Sequence, residues 1–316
     1  MKIVVLDGYT TNPGDISWAP IEKLGQLTVY ERTTSDQIIE RGRDADIIIS
    51  NKSVLTADIL PQLPKLKFIS LLSTGTNTVD LPKARELGIP VANVPGYSTP
   101  SVAQLTFSLI NELTMGAGLH SQSIHDGEWQ EHNDFCYWKK PLIELKGKTL
   151  GIVGYGSIGR AVEKIALAYE MKVIVTSRTR PSDIKDSCWY SFEDILPKAD
   201  ILTLHCPLTE VNKEFINKDV LSKMKPGALL INTARGGLIK EPDLAYALNH
   251  DIIAGAGLDV LSTEPPKADN PLLSAKNCVI TPHIAWATSE ARTRLLEVVA
   301  ANIQSFQQGN SLNVVN

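Results

Sequence analysis

Six consecutive residues, Gly154-Tyr155-Gly156-Ser157-Ile158-Gly159, constrain this chain more than any other feature. The G-x-G-x-x-G spacing stands directly after an apolar run, 151–153, and before a stretch of helical character, 160–169. In that setting each glycine has its own physical role. Gly154 permits a tight turn, Gly156 lets a ligand approach the backbone, and Gly159 lets helix pack on strand. The helix start, with Ser157 and Ile158, then offers unpaired N–H groups to phosphate oxygens. A dinucleotide fits this arrangement; the alternative is a glycine turn that binds nothing.

Strand-like runs continue at 173–175, 201–204, 228–231, 253–258 and 279–281, giving six in order with 150–154, the pattern of a Rossmann domain. Ahead of it, short apolar runs at 3–6, 47–49, 68–72 and 91–94 alternate with stretches of helical length, which argues for a second parallel sheet. Ser98-Thr99-Pro100 opens a long helix, with Val102, Leu105, Leu109 and Leu113 at helical spacing, expected to end near Gly116 and Gly118. The stretch 120–138 then reads as a polar arm or loop. A last helix, 289–306, carries Ala291, Leu295, Val298, Val299 and Ile303 on one stripe and is expected to return to the first unit. The expected fold class is α/β with two Rossmann-like, doubly wound parallel-sheet domains. The first, flavodoxin-like, comprises 1–98 plus 288–316, and the dinucleotide domain, 99–287, is inserted into it.

Charge narrows the partners. With 31 Lys+Arg against 35 Asp+Glu and no basic run, the chain has no row of cations for nucleic acid or an anionic membrane. Cys136, Cys188, Cys206 and Cys278 are far apart and form no C-x-x-C pair, so no zinc site or disulfide framework is expected and a reducing compartment fits. The opening apolar run stops at Asp7, and nowhere do eighteen apolar residues follow one another. A soluble, cytoplasmic protein without metal is the expectation.

The second strand of the dinucleotide domain ends in Ser177-Arg178-Thr179-Arg180, where an acid would accept the ribose hydroxyls of NAD. No acid stands there, and Arg178 and Arg180 with the hydroxyls of Ser177 and Thr179 suit a 2′-phosphate. NADP is therefore favoured and NAD remains possible, the alternative being a solvated basic turn.

Three further side chains fall where strands should end: Arg235 in Asn232-Thr233-Ala234-Arg235-Gly236-Gly237, Glu264 in Ser262-Thr263-Glu264-Pro265, and His283 in Thr281-Pro282-His283-Ile284. Ligands of open α/β sheets bind beyond the carboxyl ends of the strands, so all three can converge there. Singly, each has an ordinary structural reading: a surface ion pair, a loop charge, a satisfied buried histidine.

Together with the glycine motif, these segments resemble the D-isomer-specific 2-hydroxyacid dehydrogenases over nearly the whole chain. Leu6-Asp7-Gly8-Tyr9-Thr10, Val94-Pro95-Gly96-Tyr97-Ser98 and Asp134-Phe135-Cys136-Tyr137-Trp138 resemble the glycerate dehydrogenase or hydroxypyruvate reductase branch. The resemblance implies that Arg235 grips a substrate carboxylate, whose geometry its planar fork matches, and polarises the carbonyl. His283 is then the acid/base, suited to both directions because histidine exchanges its proton near neutral pH. Glu264 fixes its tautomer; glutamate rather than the glutamine of formate dehydrogenases argues against formate.

By the same resemblance Asp259 contacts the nicotinamide carboxamide, with Thr233 and Ala234 near the ring. Thr74 and Gly75 lie in a loop that holds the substrate carboxylate, although Ser73 replaces the family's first glycine. Lys52 lies in another loop facing the cleft, either touching the far end of a substrate or simply solvated. Trp138 reaches the neighbour's pocket in a homodimer formed through the cofactor domain. The implied reaction is hydride transfer between NAD(P)H and a small 2-oxo acid, foremost hydroxypyruvate to D-glycerate, with glyoxylate a second substrate and hinge closure of the cleft. The alternatives are D-lactate or phosphoglycerate dehydrogenase, or a dinucleotide-binding corepressor of the same fold.

Overall fold

Five short strands, β1 (Lys2–Val5), β2 (Gln26–Val29), β3 (Ile47–Ser50), β4 (Phe68–Leu71) and β5 (Val91–Ala92), pair in parallel in the order β2-β1-β3-β4-β5. They belong to a compact unit made of Met1–Ser98 and Trp286–Asn316 in a computed structural model that describes residues 1–185 and 188–316. β3 and β4 are buried throughout because both faces of the sheet are covered, which is why they read as unbroken apolar runs. On one face Ile3, Val5, Ile47, Ile49 and Phe68 pack with Leu295, Leu296, Val299 and Ile303 of the C-terminal helix, Ser289–Gln307. Each of those four helix side chains is at most 1% exposed, and burying one contributes about 2 kcal/mol. The opposite face packs Val4, Ile48, Ile69 and Leu71 with Ile38 and Ala84 of the short helices Ile38–Gly42 and Leu81–Glu86.

β2 falls outside the strand-like runs of the sequence. It is an edge strand whose side chains are mostly exposed, so it carries no apolar run to mark it.

The second unit, Thr99–Ala285, contains β6 (Thr149–Val153), β7 (Lys172–Thr176), β8 (Ile201–Leu204), β9 (Leu229–Asn232), β10 (Gly255–Leu258) and β11 (Cys278–Ile280). All pairs are parallel, in the order β11-β10-β9-β8-β6-β7. A bridge from Val175 to Trp189 adds one further strand position outside β7. The order of strands therefore reverses between β6 and β8, the switch point at which such sheets bind ligands. The long helix Thr99–Met115 buries Phe107, Leu109, Ile110 and Leu113 with Ile152 and Ile231 on one face of the sheet. Leu221, Leu244 and Leu248, from the helices Lys218–Lys223 and Glu241–Asn249, fill the other.

The expected loop after the long helix starts later than the sequence indicates, because a second helix, Ala117–His125, begins at once. Gly116 breaks the first helix with a φ of 58°, and the Glu112 carboxylate then accepts from Gly118 N at 3.0 Å and Leu119 N at 3.3 Å, capping the new one. Lys140 Nζ donates to the carbonyls of Glu112 and Leu113, at 2.8 and 2.9 Å, and so closes the end of the first helix. Among the described residues no helix is long and apolar enough to cross a membrane, and no group of three or more His, Cys, Asp or Glu side chains is placed to hold a metal ion.

Candidate active site

At the β6 end, Gly154 adopts a φ of +93°, and a Cβ there would meet the backbone of His205 and Cys206 at 2.7 Å. The turn needs glycine because β8 delivers those two residues against it, which is the switch point in atomic terms. A Cβ on Gly159 would lie 2.5 Å from the Gly154 carbonyl oxygen, so this helix must also start with glycine. Gly156 differs: its φ is −84° and a Cβ would touch nothing within 4 Å. Neither strain nor packing demands glycine there. The space is that of a cradle that a bound ligand can enter.

The helix that follows, Ser157–Ala168, has no side-chain N-cap and no acid in its first turn. Its first N–H groups and the positive end of its dipole are left for an anion. The residues present thus fit a dinucleotide pyrophosphate. His205, which the motif reading did not single out, stands beside this turn. Its residue is half-buried, yet its Nδ1 is sealed from water without a partner among the described residues, while Nε2 lies 2.9 Å from Thr203 Oγ1. Burial pushes its imidazole down to about 3.

Beyond β7, Ser177 Oγ donates to the Thr179 carbonyl at 2.8 Å, closing a turn that leaves Arg178 exposed. Arg160, in the first turns of the helix after the glycines, pairs through both terminal nitrogens with Asp183, with contacts of 2.5 and 2.9 Å. The glycine helix and the turn after β7 are thereby tied together.

Asn232, wholly buried at the end of β9, shapes the turn that carries Arg235. Its Nδ2 donates to the Arg235 carbonyl at 2.9 Å and its Oδ1 accepts from Ala234 N at 3.0 Å. Thr233 is buried with Oγ1 3.1 Å from Thr106 Oγ1, whereas Arg235 is exposed and uses Nη1 on the Ala234 carbonyl at 2.7 Å. The next residue fixes the neighbouring loop. A Cβ on Gly236 would lie 1.9 Å from the carbonyl carbon of Leu261, so the Arg235 turn and the Glu264 loop touch backbone to backbone.

His283 Nδ1 and Glu264 Oε2 are 2.6 Å apart, with side chains about one-third exposed. A carboxylate acceptor places the proton on Nδ1 and turns Nε2 outward. Glu264 Oε1 accepts from Leu261 N at 3.1 Å, and Glu241, buried, accepts from Ser262 N at 2.6 Å and Asn270 Nδ2 at 2.9 Å, bracing the same loop. His283 itself holds a φ of 55°, unusual outside glycine. The Asp259 carboxylate supports that conformation: it accepts from Thr281 Oγ1 at 2.6 Å, Ile284 N at 2.9 Å and Ala285 N at 2.8 Å. Burial raises the Asp259 carboxyl against the pull of these three bonds. The structure thus brings Glu264, His283 and Asp259 into one hydrogen-bonded assembly and sets the Arg235 turn against it.

In the first unit, the 73–75 turn is pinned by its own side chains. Ser73 Oγ donates to the Gly75 carbonyl at 2.7 Å, Thr74 Oγ1 to the Val94 carbonyl at 2.8 Å, and Asn93 Nδ2 to the Thr74 carbonyl at 2.7 Å. Serine at position 73 therefore closes the turn where the resemblance leads one to expect glycine. With the Thr74 hydroxyl spent, the backbone N–H groups of Ser73, Thr74 and Gly75 are left without an acceptor among the described residues. Lys52 is exposed on the loop after β3. Trp138, in the arm of the second unit, is 65% exposed and nearby Phe135 is 88% exposed.

The family described as D-isomer specific 2-hydroxyacid dehydrogenase, NAD binding domain, matches residues 107–285, more than half of the chain. The chain belongs to that family. It is 46% identical over 321 residues to the hydroxypyruvate reductase of Blautia hydrogenotrophica, covering 100% of both chains. It is 40% identical over 289 residues, 90% of each chain, to the glycerate dehydrogenase of Methylorubrum extorquens. Among solved structures it superposes on an NADPH-dependent glyoxylate/hydroxypyruvate reductase from Sinorhizobium meliloti, in complex with NADP and malonate, with a TM-score of 0.82 and 27% identity over 99% of this chain and 96% of that one. As a 2-hydroxyacid dehydrogenase the protein is an oxidoreductase of small-molecule substrates whose cofactor is a nicotinamide dinucleotide.

Proposed function

We propose that this dehydrogenase interconverts hydroxypyruvate and D-glycerate, with NADP(H) as its preferred cofactor and glyoxylate as a second substrate. The His283–Glu264 hydrogen bond of 2.6 Å carries the mechanistic reading. When bound, the nicotinamide supplies the hydride for reduction and accepts it in the reverse direction.

Everything else falls to the protein. Arg235 takes the substrate carboxylate with its fork and withdraws charge from the adjacent carbonyl. His283 gives the proton on Nε2 to the carbonyl oxygen during reduction and removes it from the hydroxyl during oxidation. Glu264 keeps Nδ1 protonated and balances the charge of the doubly protonated ring. Asp259 retains one of its roughly four acceptor positions, enough for the carboxamide N–H of a nicotinamide beside Thr233 and Ala234. By the family resemblance alone, Thr74, Gly75 and Lys52 of the first unit are further proposed substrate contacts. Gly154, Gly156, Ser157, Ile158 and Gly159 hold the pyrophosphate, while Ser177, Arg178 and Thr179 hold the 2′-phosphate. Phe135 and Trp138, large apolar side chains left in water, support a homodimer through this domain, with Trp138 in the neighbour's pocket.

The test is the rate of NADPH and NADH oxidation with hydroxypyruvate, glyoxylate and pyruvate, followed by the handedness of the product. The proposal expects fastest turnover with hydroxypyruvate and NADPH, yielding D-glycerate. Preference for pyruvate, or an L product, would overturn it.

A further inference from the structure

The segment after β7, residues 177–185, carries one acid, Asp183, five residues beyond Arg178. Its carboxylate is fully engaged: Arg160 Nη1 donates to Oδ2 at 2.5 Å and Nη2 to Oδ1 at 2.9 Å, a two-pronged pair from the first turns of the helix Ser157–Ala168. The pair holds the Asp183 carboxyl below the usual carboxylate range. Ile184, next in the chain, is half-buried against the core that includes Val162 and Val175, which fixes where the acid stands. Arg178, on the same segment, is exposed and forms no ion pair among the described residues.

Arg160 has a nearer acid in the sequence. Glu163 lies three residues on along the same helix, a spacing at which helical ion pairs form. Its Oε2 instead accepts from the Tyr155 hydroxyl, and burial together with this carboxylate pushes the Tyr155 phenol up to about 12, so it remains a donor near neutral pH. The Arg160 guanidinium then lies over the Tyr155 ring, with Cζ 4.4 Å from the ring centroid. Tyr155, the second residue of the glycine motif, thus occupies Glu163 and leaves Arg160 for Asp183. Both members of that pair are more than one-third exposed, and pairs so exposed add little to stability. What this one changes is the charge on the segment that carries Arg178.

From this we infer that Arg160 is a positioning residue for cofactor choice: it takes both oxygens of Asp183, so that the acid neither pairs with Arg178 nor repels a 2′-phosphate. The inference rests on the NADP(H) preference proposed above and adds to it the device by which a segment that holds an acid can still serve an anionic group.

The experiment is calorimetric titration of the full chain with NADPH and with NADH, for the wild type, Arg160→Met, Asp183→Asn and the double variant, each first checked for its urea midpoint. Arg160→Met frees the acid and should weaken NADPH about tenfold while NADH stays within about twofold. Asp183→Asn removes the charge and should leave NADPH within about twofold of the wild type, and in the double variant it should restore most of what Arg160→Met loses. A mere tether between helix and loop gives the opposite pattern: Asp183→Asn as damaging as Arg160→Met, with no rescue in the double variant, a result that would overturn the inference. Equal weakening of NADPH and NADH by Arg160→Met would overturn it too, by assigning Arg160 to a part of the dinucleotide common to both. Should Arg160→Met fail to fold, Arg160→Gln takes its place with the same expectations. A wild type that prefers NADH would overturn the proposed cofactor, while the ratio of the two affinities across the four proteins still decides the part given to Arg160.

Discussion

Glu264 Oε2 meets His283 Nδ1 at 2.6 Å although the two side chains reach the meeting point from separately braced loops. Glu264 is held through Leu261 and by the buried Glu241 beneath its loop; His283 is held by the three hydrogen bonds that Asp259 draws from the 281–285 segment. Such bracing fixes a pair within the few tenths of an ångström that proton transfer requires. It also separates charge from geometry, because Glu264→Gln keeps an acceptor and loses the negative charge.

For Glu264→Gln, the reductive reaction should fail at a lower pH than in the wild type, since the doubly protonated ring loses its counter-charge. The oxidative reaction, which needs the ring with Nε2 free, should extend further into acid. At slightly alkaline pH the reductive kcat should fall about 10- to 100-fold. Profiles of kcat/KM against pH in both directions check this, and unshifted profiles would deny Glu264 an electrostatic part.

Gly156→Ala and Gly236→Ala should fail in opposite ways. Alanine at 156 has open space and an allowed φ, so folding should be unaffected while dinucleotide binding weakens by about 10-fold or more. Alanine at 236 would drive into the backbone at Leu261 and should cost about 3 kcal/mol of stability. Urea midpoints and dinucleotide titrations on both variants separate the two cases.

Removing Arg178 should raise the KM of NADPH about 10-fold and leave that of NADH nearly unchanged, because only the 2′-phosphate is lost as a partner. Steady-state kinetics with both cofactors provide the check. Equal effects on the two would assign Arg178 to the solvated turn.

His205 makes the fold sensitive to acid. Burial holds its ring to about 3, whereas a histidine in the unfolded chain takes its proton near pH 6.5. Between those values the unfolded chain binds a proton that the folded chain refuses, so stability falls as pH drops through this window. Between pH 7 and pH 4.5 the loss from this residue should be about 2–3 kcal/mol. His205→Gln should lose less stability than the wild type over the same interval, as read from urea unfolding at the two pH values.

The glycine turn and most strands of the two sheets are legible in the sequence because their signals are local. Gly154 and Gly159 answer to steric limits within a few residues or at one strand end, and fully buried strands such as β3 and β9 are apolar almost throughout. β2 and the helix Ala117–His125 are not legible, for one is an exposed edge and the other begins where Glu112 turns back to cap it. The supporting residues are hidden for a related reason. Asn232 and Glu241 act through backbone N–H or carbonyl groups of distant or tightly turned segments, and such partners leave no mark on the spacing of a sequence. The sequence suggests a ligand contact for Asp259, and the bonds it makes to the His283 segment become visible only once β10 and β11 are paired.

The most direct measurement is the initial rate of NADPH oxidation with hydroxypyruvate by the wild type and by His283→Ala, with NADPH binding to each followed by protein fluorescence. The account expects ready turnover by the wild type, a loss of about 10³-fold in the variant, and NADPH binding that stays within about threefold. A variant that keeps the wild-type rate, or one that is folded yet no longer binds NADPH, would contradict the role given to His283.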